Sequence, residues 1–188
     1  MSPRRLPPSF YRRPALVVAR DLLGRTLCRE LSDGTVLRGR LVEVEAYDGP
    51  ADRASHAFRG MTKRNRWMFE HGGLAYVYLV YGMHHCLNIV TGDAGHPAAV
   101  LLRAAESPGA TSAAGPGRLT RAFHVDRTLD GASFLSGSLW LEAGEPVTDR
   151  EVRRTPRIGV DYAGVWASRR YRFIIAGHPA VSGPRALR

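Results

Sequence analysis

Residues 74–91 read Leu74-Ala75-Tyr76-Val77-Tyr78-Leu79-Val80-Tyr81-Gly82-Met83-His84-His85-Cys86-Leu87-Asn88-Ile89-Val90-Thr91. Leu74 to Tyr81 and His85 to Thr91 are rich in tyrosine, valine and leucine, side chains that fit a pleated, half-buried surface. Only a tight connection around Gly82-Met83 separates them, so the two runs predict an antiparallel hairpin. Tyr76 and Tyr78 then share one face, because successive side chains of a strand alternate. Asn88 shares a face with Cys86 and Val90 by the same rule, and Tyr81 falls at the tip with Met83 close behind it.

Working outward from this hairpin, Pro14 to Leu23 carries apolar residues at Leu16, Val17, Ala19, Leu22 and Leu23. Pro14 suits a first turn and Gly24 a C-cap, which predicts a short helix. A strand over Arg25 to Leu31, turn residues Ser32-Asp33-Gly34 and a returning strand from Thr35 to Tyr47 make a second hairpin. Residues 48–65 follow as a loop rich in Asp, Arg, His and Gly. Downstream, Ala98 to Ala104 is apolar until Arg103 and reads as a buried strand. Ser107 to Gly117 is a small-residue loop, and Pro116 to Phe123 a helix. Further strands are predicted at Ser138 to Glu142, Arg157 to Val160 and Tyr171 to Ala176. No internal repeat or composition break is present; residues 1–13 read as an N-terminal arm and 14–188 as one domain. Many hairpin-joined strands with few helices predict a single-domain α+β fold around an antiparallel sheet.

A chain of 188 residues that is 44% hydrophobic and 23% charged can bury one core and is not composed like a disordered protein. Its formal charge of +10 and pI of about 10.5 point to a polyanionic partner, nucleic acid before an acidic protein or a membrane surface. An arginine-rich genome would inflate that charge, since Lys63 is the only lysine. Lys63 lies in Thr62-Lys63-Arg64-Asn65-Arg66, which reads as a phosphate-contacting loop, so covalent catalysis through an amine is disfavoured. No apolar run approaches the roughly 18 residues of a spanning helix. Met1 to Pro8 lacks the apolar centre of a signal peptide. Two cysteines, Cys28 and Cys86, cannot make a disulfide framework, which fits a reducing compartment and a cytoplasmic location.

Several residues are able to carry chemistry. Along Val42-Glu43-Val44-Glu45-Ala46-Tyr47, alternation puts Glu43, Glu45 and Tyr47 on one face. Two glutamates on a strand are often no more than an exposed edge. Partly desolvated by neighbouring rings, one of them would serve as a general base, and Glu45 is the better placed because Tyr47 and the loop after it would cover it. Tyr81, a bulky ring at a hairpin tip on a basic protein, suggests a wedge for a DNA base stack, the device that fills the gap left by a flipped nucleotide. Arg103 ends an apolar strand, where its charge needs a carboxylate. Asn88 is an amide in a buried run, which either satisfies backbone or reads a ligand edge. His84 and Cys86 share a strand face, but no second ligand pair stands at metal spacing, and no metal or other cofactor is expected. Gly115-Pro116-Gly117-Arg118-Leu119 offers free N–H groups at a helix start, which suits an anion.

Taken in order, these segments resemble the alkyladenine (3-methyladenine) DNA glycosylase family, the group without a helix-hairpin-helix. The resemblance rests on Leu37 to Tyr47, Thr62 to Arg66, Tyr76 to Met83 with Cys86 to Ile89, Val100 to Ala104, Arg157 to Val160 and Ala163 to Ala167. It implies a curved antiparallel sheet with flanking helices and a protruding hairpin that enters DNA. It implies that Glu45 activates the attacking water and that Arg103 positions water and carboxylate. Tyr47, His56 and Tyr78 would enclose the flipped base, Asn88 would crowd the 2-amino group of guanine, and Tyr81 would enter through the minor groove. Arg64, Arg66 and Met83 would join it in holding DNA. His84 and Trp67 depart from the family pattern, which has other residue types there. The implied partner is double-stranded DNA containing damaged purines, bound by a monomer that works in the cytoplasm, at the nucleoid if the cell is bacterial. The rival reading is a non-enzymatic RNA or single-strand binder, since tyrosines on strands of a basic protein also describe a stacking platform. A metal-dependent nuclease built on the His84 region is more distant.

Overall fold

The long run around Glu43 and Glu45 organises the sheet. In a computed structural model that describes residues 4–183, the chain forms α1 (Pro8–Tyr11), α2 (Ala15–Leu22), β1 (Thr26–Glu30) and β2 (Val36–Asp48). Then come β3 (Ala75–Val80), β4 (His84–Val90), β5 (Ala98–Ala105), α3 (Pro116–Ala122), β6 (Leu139–Glu142), β7 (Val152–Thr155) and β8 (Arg172–Ile175). Strand order is β3-β4-β5-β2-β1-β6, with β8 also pairing β2 and β7, and every pairing is antiparallel. The first part of β2 pairs with β1 and the later part with β5 and β8. Register shifts between Leu41 and Glu43 and between Glu43 and Val44 lie at the changeover. Bulges of this kind bend a strand and raise its twist, which curls the sheet. The α+β expectation holds.

Alternation divides the sheet into two faces. Val44, Ala46, Val77, Leu87, Ile89, Val100 and Leu102 enter the main core, where Val18, Ala19 and Leu22 of α2 pack against them. The other face carries Glu43, Glu45, Tyr47, Tyr76, Tyr78, Asn88, Leu101 and Arg103. It is covered by the 49–69 loop through Ala57 and Met68, and by the 156–167 segment through Val160 and Ala163. Phe10 and Tyr11, within the stretch expected as an arm, are buried in the main core. None of the described helices is long and apolar enough to cross a membrane.

Two expectations change. Residues 157–160 are not a strand: Pro156 lacks a donor for a ladder and Gly159 has φ +76°, so the strand lies earlier, at β7, where Arg153-Arg154 break the apolar pattern. Nor do Glu43 and Glu45 lie on an exposed edge, for β2 is an inner strand and both side chains are fully buried. The β3–β4 hairpin closes as expected. Met83 N–H donates to Val80 C=O at 3.1 Å, and Tyr81 and Gly82 have φ of +50° and +68°, the signs a type I′ turn requires.

Candidate active site

A cavity of about 480 Å³ opens between the sheet and the two covering segments, within the roughly 300–1,000 Å³ typical of small-molecule sites. Its walls are aromatic. Tyr76 and Tyr78 stand two residues apart on β3 with ring centroids 5.2 Å apart and tilted by 40°. His56 meets Tyr78 edge-on at 4.6 Å, and its Nδ1 lies 2.9 Å from the Tyr76 hydroxyl. Burial against these rings, and then the Arg64 charge, lower the His56 pKa to about 4, so the imidazole is neutral at neutral pH. Part of His56 remains exposed. Asn88 is buried on β4, and its Nδ2 donates to the Tyr76 carbonyl at 3.0 Å. At the rim Arg64 stacks over Tyr78 with its guanidinium carbon 5.0 Å from the ring centroid, and Tyr81 is 88% exposed.

Glu45 lies just beneath the floor, and the groups that touch it line the cavity. Its Oε2 accepts from Tyr47 O–H at 3.1 Å and from Arg103 Nη1 at 3.3 Å, and its Oε1 accepts from Ile158 N–H at 2.8 Å. Burial pushes the Tyr47 pKa well up, followed by the Glu45 charge, so the phenol stays a donor. Glu43 takes Arg103 Nε at 2.8 Å and Arg172 Nε at 2.7 Å. Burial would raise its pKa, but Arg103, Arg172 and the Ser182 N–H outweigh that and hold it below the ordinary carboxylate value. Burial pulls Arg103 down, yet Glu45 and Glu43 pull it further up, so it remains a cation. Arg157, 5% exposed, pairs with the fully buried Asp52, donating from Nη2 to Oδ1 at 2.8 Å. Its guanidinium carbon sits 4.7 Å from the centroid of the Tyr47 ring, which fixes that wall from behind. The arrangement is a buried carboxylate held by fixed donors at the base of an aromatic slot. It suits abstraction of a proton from a small nucleophile beside a planar ring.

The sequence profile described as methylpurine-DNA glycosylase matches residues 9–179. The chain belongs to the methylpurine-DNA glycosylase family. A protein of Myxococcus xanthus, provisionally named a 3-methyladenine DNA glycosylase, is 50% identical over 184 residues, covering 95% of this chain and 94% of its own length. One of the same provisional name from Methanocella arvoryzae is 50% identical, covering 94% of this chain and 95% of its own. Another from Streptomyces avermitilis is 46% identical over 94% and 90%. Membership places the chain among DNA repair enzymes that act on N-glycosyl bonds.

Of the residues that sequence reasoning singled out, Tyr47, His56, Arg64, Tyr78, Tyr81, Asn88 and Arg103 line the cavity, with Glu45 directly behind Tyr47 and Arg103. Arg66 and Met83 do not line it. Arg66 stacks on Trp67 at 4.5 Å, and Met83 is 72% exposed beside the tip. Spacing along the chain does not mark Glu43 as the partner of Arg103, nor does it mark Arg172, Ser182 or the Asp52–Arg157 pair. Arg172 had a legible signal, a lone charge in the apolar run Arg172-Phe173-Ile174-Ile175, the pattern that drew attention to Arg103. Asp52, in a polar loop, had none. Among the described residues no group of three or more His, Cys, Asp or Glu could hold a metal ion.

Proposed function

We propose that the chain excises alkylated or deaminated purines, 3-methyladenine among them, from double-stranded DNA as a monofunctional, monomeric glycosylase. The single observation that carries this is Glu45: a buried carboxylate with three fixed donors, set directly under a cavity walled by Tyr47, Tyr78 and His56. The names of the relatives supply the substrate class.

In this reading arginines of the basic surface, Arg64 and Arg66 among them, grip phosphates independently of sequence. Tyr81 enters the stack as the damaged nucleotide turns out, which is least costly for a weakened pair. The purine stacks between the cavity rings. Asn88, tied to the Tyr76 carbonyl, does not move aside for a 2-amino group. Water attacks the anomeric carbon as the C1′–N bond breaks; the bond's electron pair leaves with the base and the water's proton passes to Glu45. Positive charge that gathers on the sugar is met by the Glu45 carboxylate. A cationic alkylpurine departs neutral, whereas hypoxanthine needs a proton on leaving. The product is an abasic site, and the work would fall in the cytoplasm, where the DNA is reached directly.

The test is competition and cleavage on one preparation: a duplex carrying a single 3-methyladenine against undamaged duplex and single-stranded RNA, with chelator present. Preferential binding of the lesion duplex with an alkali-sensitive break at the lesion is the expected result. Preference for the RNA with no break refutes it.

A further inference from the structure

Glu43, Arg103, Arg172 and Ser182 form a buried network, and Arg103 Nη1 extends it to the Glu45 carboxylate. Ser182, in the segment after β8, commits all three of its polar groups to it. Its N–H donates to Glu43 Oε2 at 2.6 Å, its hydroxyl donates to Glu43 Oε1 at 2.9 Å, and its carbonyl accepts from Arg172 Nη2 at 2.9 Å. Arg103 Nη2 also lies 3.5 Å from the Ser182 hydroxyl. Val181 is fully buried in the main core, so this segment is anchored by packing as well as by hydrogen bonds.

Two carboxylates and two guanidiniums balance in charge here, but they are not paired one to one. A guanidinium facing one carboxylate ordinarily takes it with two parallel N–H bonds. Arg103 instead gives its Nε to Glu43 at 2.8 Å and reaches Glu45 with Nη1 alone, at 3.3 Å. A carboxylate gripped by a full fork is a poor proton acceptor, because the cation favours its charged form. One long contact orients Glu45 without committing either carboxylate oxygen to a full fork.

Resting on the reading of Glu45 as the base, we propose that Ser182 is a positioning residue: it holds Glu43 where Glu43 draws Arg103 away from Glu45, and so leaves the Glu45 carboxylate free to meet the attacking water. Loss of the hydroxyl frees Glu43 to protonate more readily and Arg103 to turn onto Glu45.

The experiment compares Ser182→Ala, Ser182→Thr and Glu45→Gln with the wild type in single-turnover excision across pH, lesion-duplex affinity and thermal melting. Ser182→Ala keeps its backbone N–H. It is expected to slow excision on the order of tenfold while lesion-duplex affinity stays near wild type, and the lost buried hydrogen bond lowers Tm by several degrees with the protein still folded at the assay temperature. The acid limb of its rate profile moves to higher pH, because Glu43, with one donor fewer for its charged form, takes up its proton earlier and releases Arg103. Ser182→Thr restores both rate and limb. A wild-type rate with an unmoved limb for Ser182→Ala overturns the proposal, as does a rate loss matched by an equal loss of affinity with the limb unmoved. Glu45→Gln separates the two readings. If it still excises, the base assignment fails. If it is inert while Ser182→Ala matches the wild type, only the role of Ser182 fails.

Discussion

Replacing Tyr81 with glycine separates what the hairpin tip does for folding from what it does for DNA. Tyr81 is 88% exposed, and its φ of +50° lies in the left-handed region, where a Cβ costs roughly 1–2 kcal/mol. Glycine removes that strain but adds unfolded-chain freedom worth roughly 0.5–1 kcal/mol. The balance is a stability change between about 0 and +1.5 kcal/mol, which for a chain of this size leaves Tm level or raises it by up to roughly 3–6 °C. The same change takes away the ring that would enter the base stack, a contact worth roughly 1–3 kcal/mol, or about 5- to 150-fold in the population of the captured lesion. Melting of the free protein, beside fluorescence of an ethenoadenine duplex that reports unstacking, reads both quantities. Undiminished unstacking by Tyr81→Gly would refute the wedge. A Tm loss of many degrees would show instead that the tip ring supports the fold.

Other consequences follow from the same geometry. Arg157→Lys breaks a buried fork that also backs Tyr47, leaving Asp52 poorly paired; a loss of about 3 kcal/mol or more is expected, seen as a Tm drop of several degrees. His56 has a folded-state pKa of about 4, below the unfolded value of about 6.5. The unfolded chain therefore binds the proton first, and the stability owed to neutral His56 is whole above pH 6.5 and declines as pH falls toward 4. His56→Gln should make denaturant midpoints fall less steeply across that window. Arg64→Ala should reduce the slope of log affinity against log salt by about 1 for damaged and undamaged duplex alike, since a phosphate contact carries no sequence information.

The sheet was legible because β3 and β4 are rich in β-prone side chains and β5 is an almost unbroken apolar run, and because β-prone runs around Gly82 allow few connections other than a hairpin. The strand at β7 was hidden: Val152-Arg153-Arg154-Thr155 carries its two arginines outward at the sheet border, which leaves no apolar run to see. Glu45, Tyr47 and Arg103 were readable because a charge or ring on an otherwise apolar strand demands a partner. What sequence spacing does not reveal is how such partners are shared. Glu43 and Glu45 sit two residues apart with the same side chain, yet four donors converge on Glu43 and hold it as a fixed counter-ion, while Glu45 faces the cavity lining. That division depends on Arg172 and Ser182, 129 and 139 residues away along the chain, which only folding brings together.

The most direct test of the account is single-turnover excision by wild type and Glu45→Gln on four duplexes, each holding one 3-methyladenine, 7-methylguanine, hypoxanthine or ethenoadenine. The wild type is predicted to leave alkali-sensitive sites at one or more of these lesions. Glu45→Gln should bind them within a few-fold as tightly and excise at least about 100-fold more slowly, the range expected when a general base is lost. Excision by Glu45→Gln at close to the wild-type rate would contradict the central claim that this buried carboxylate takes the proton.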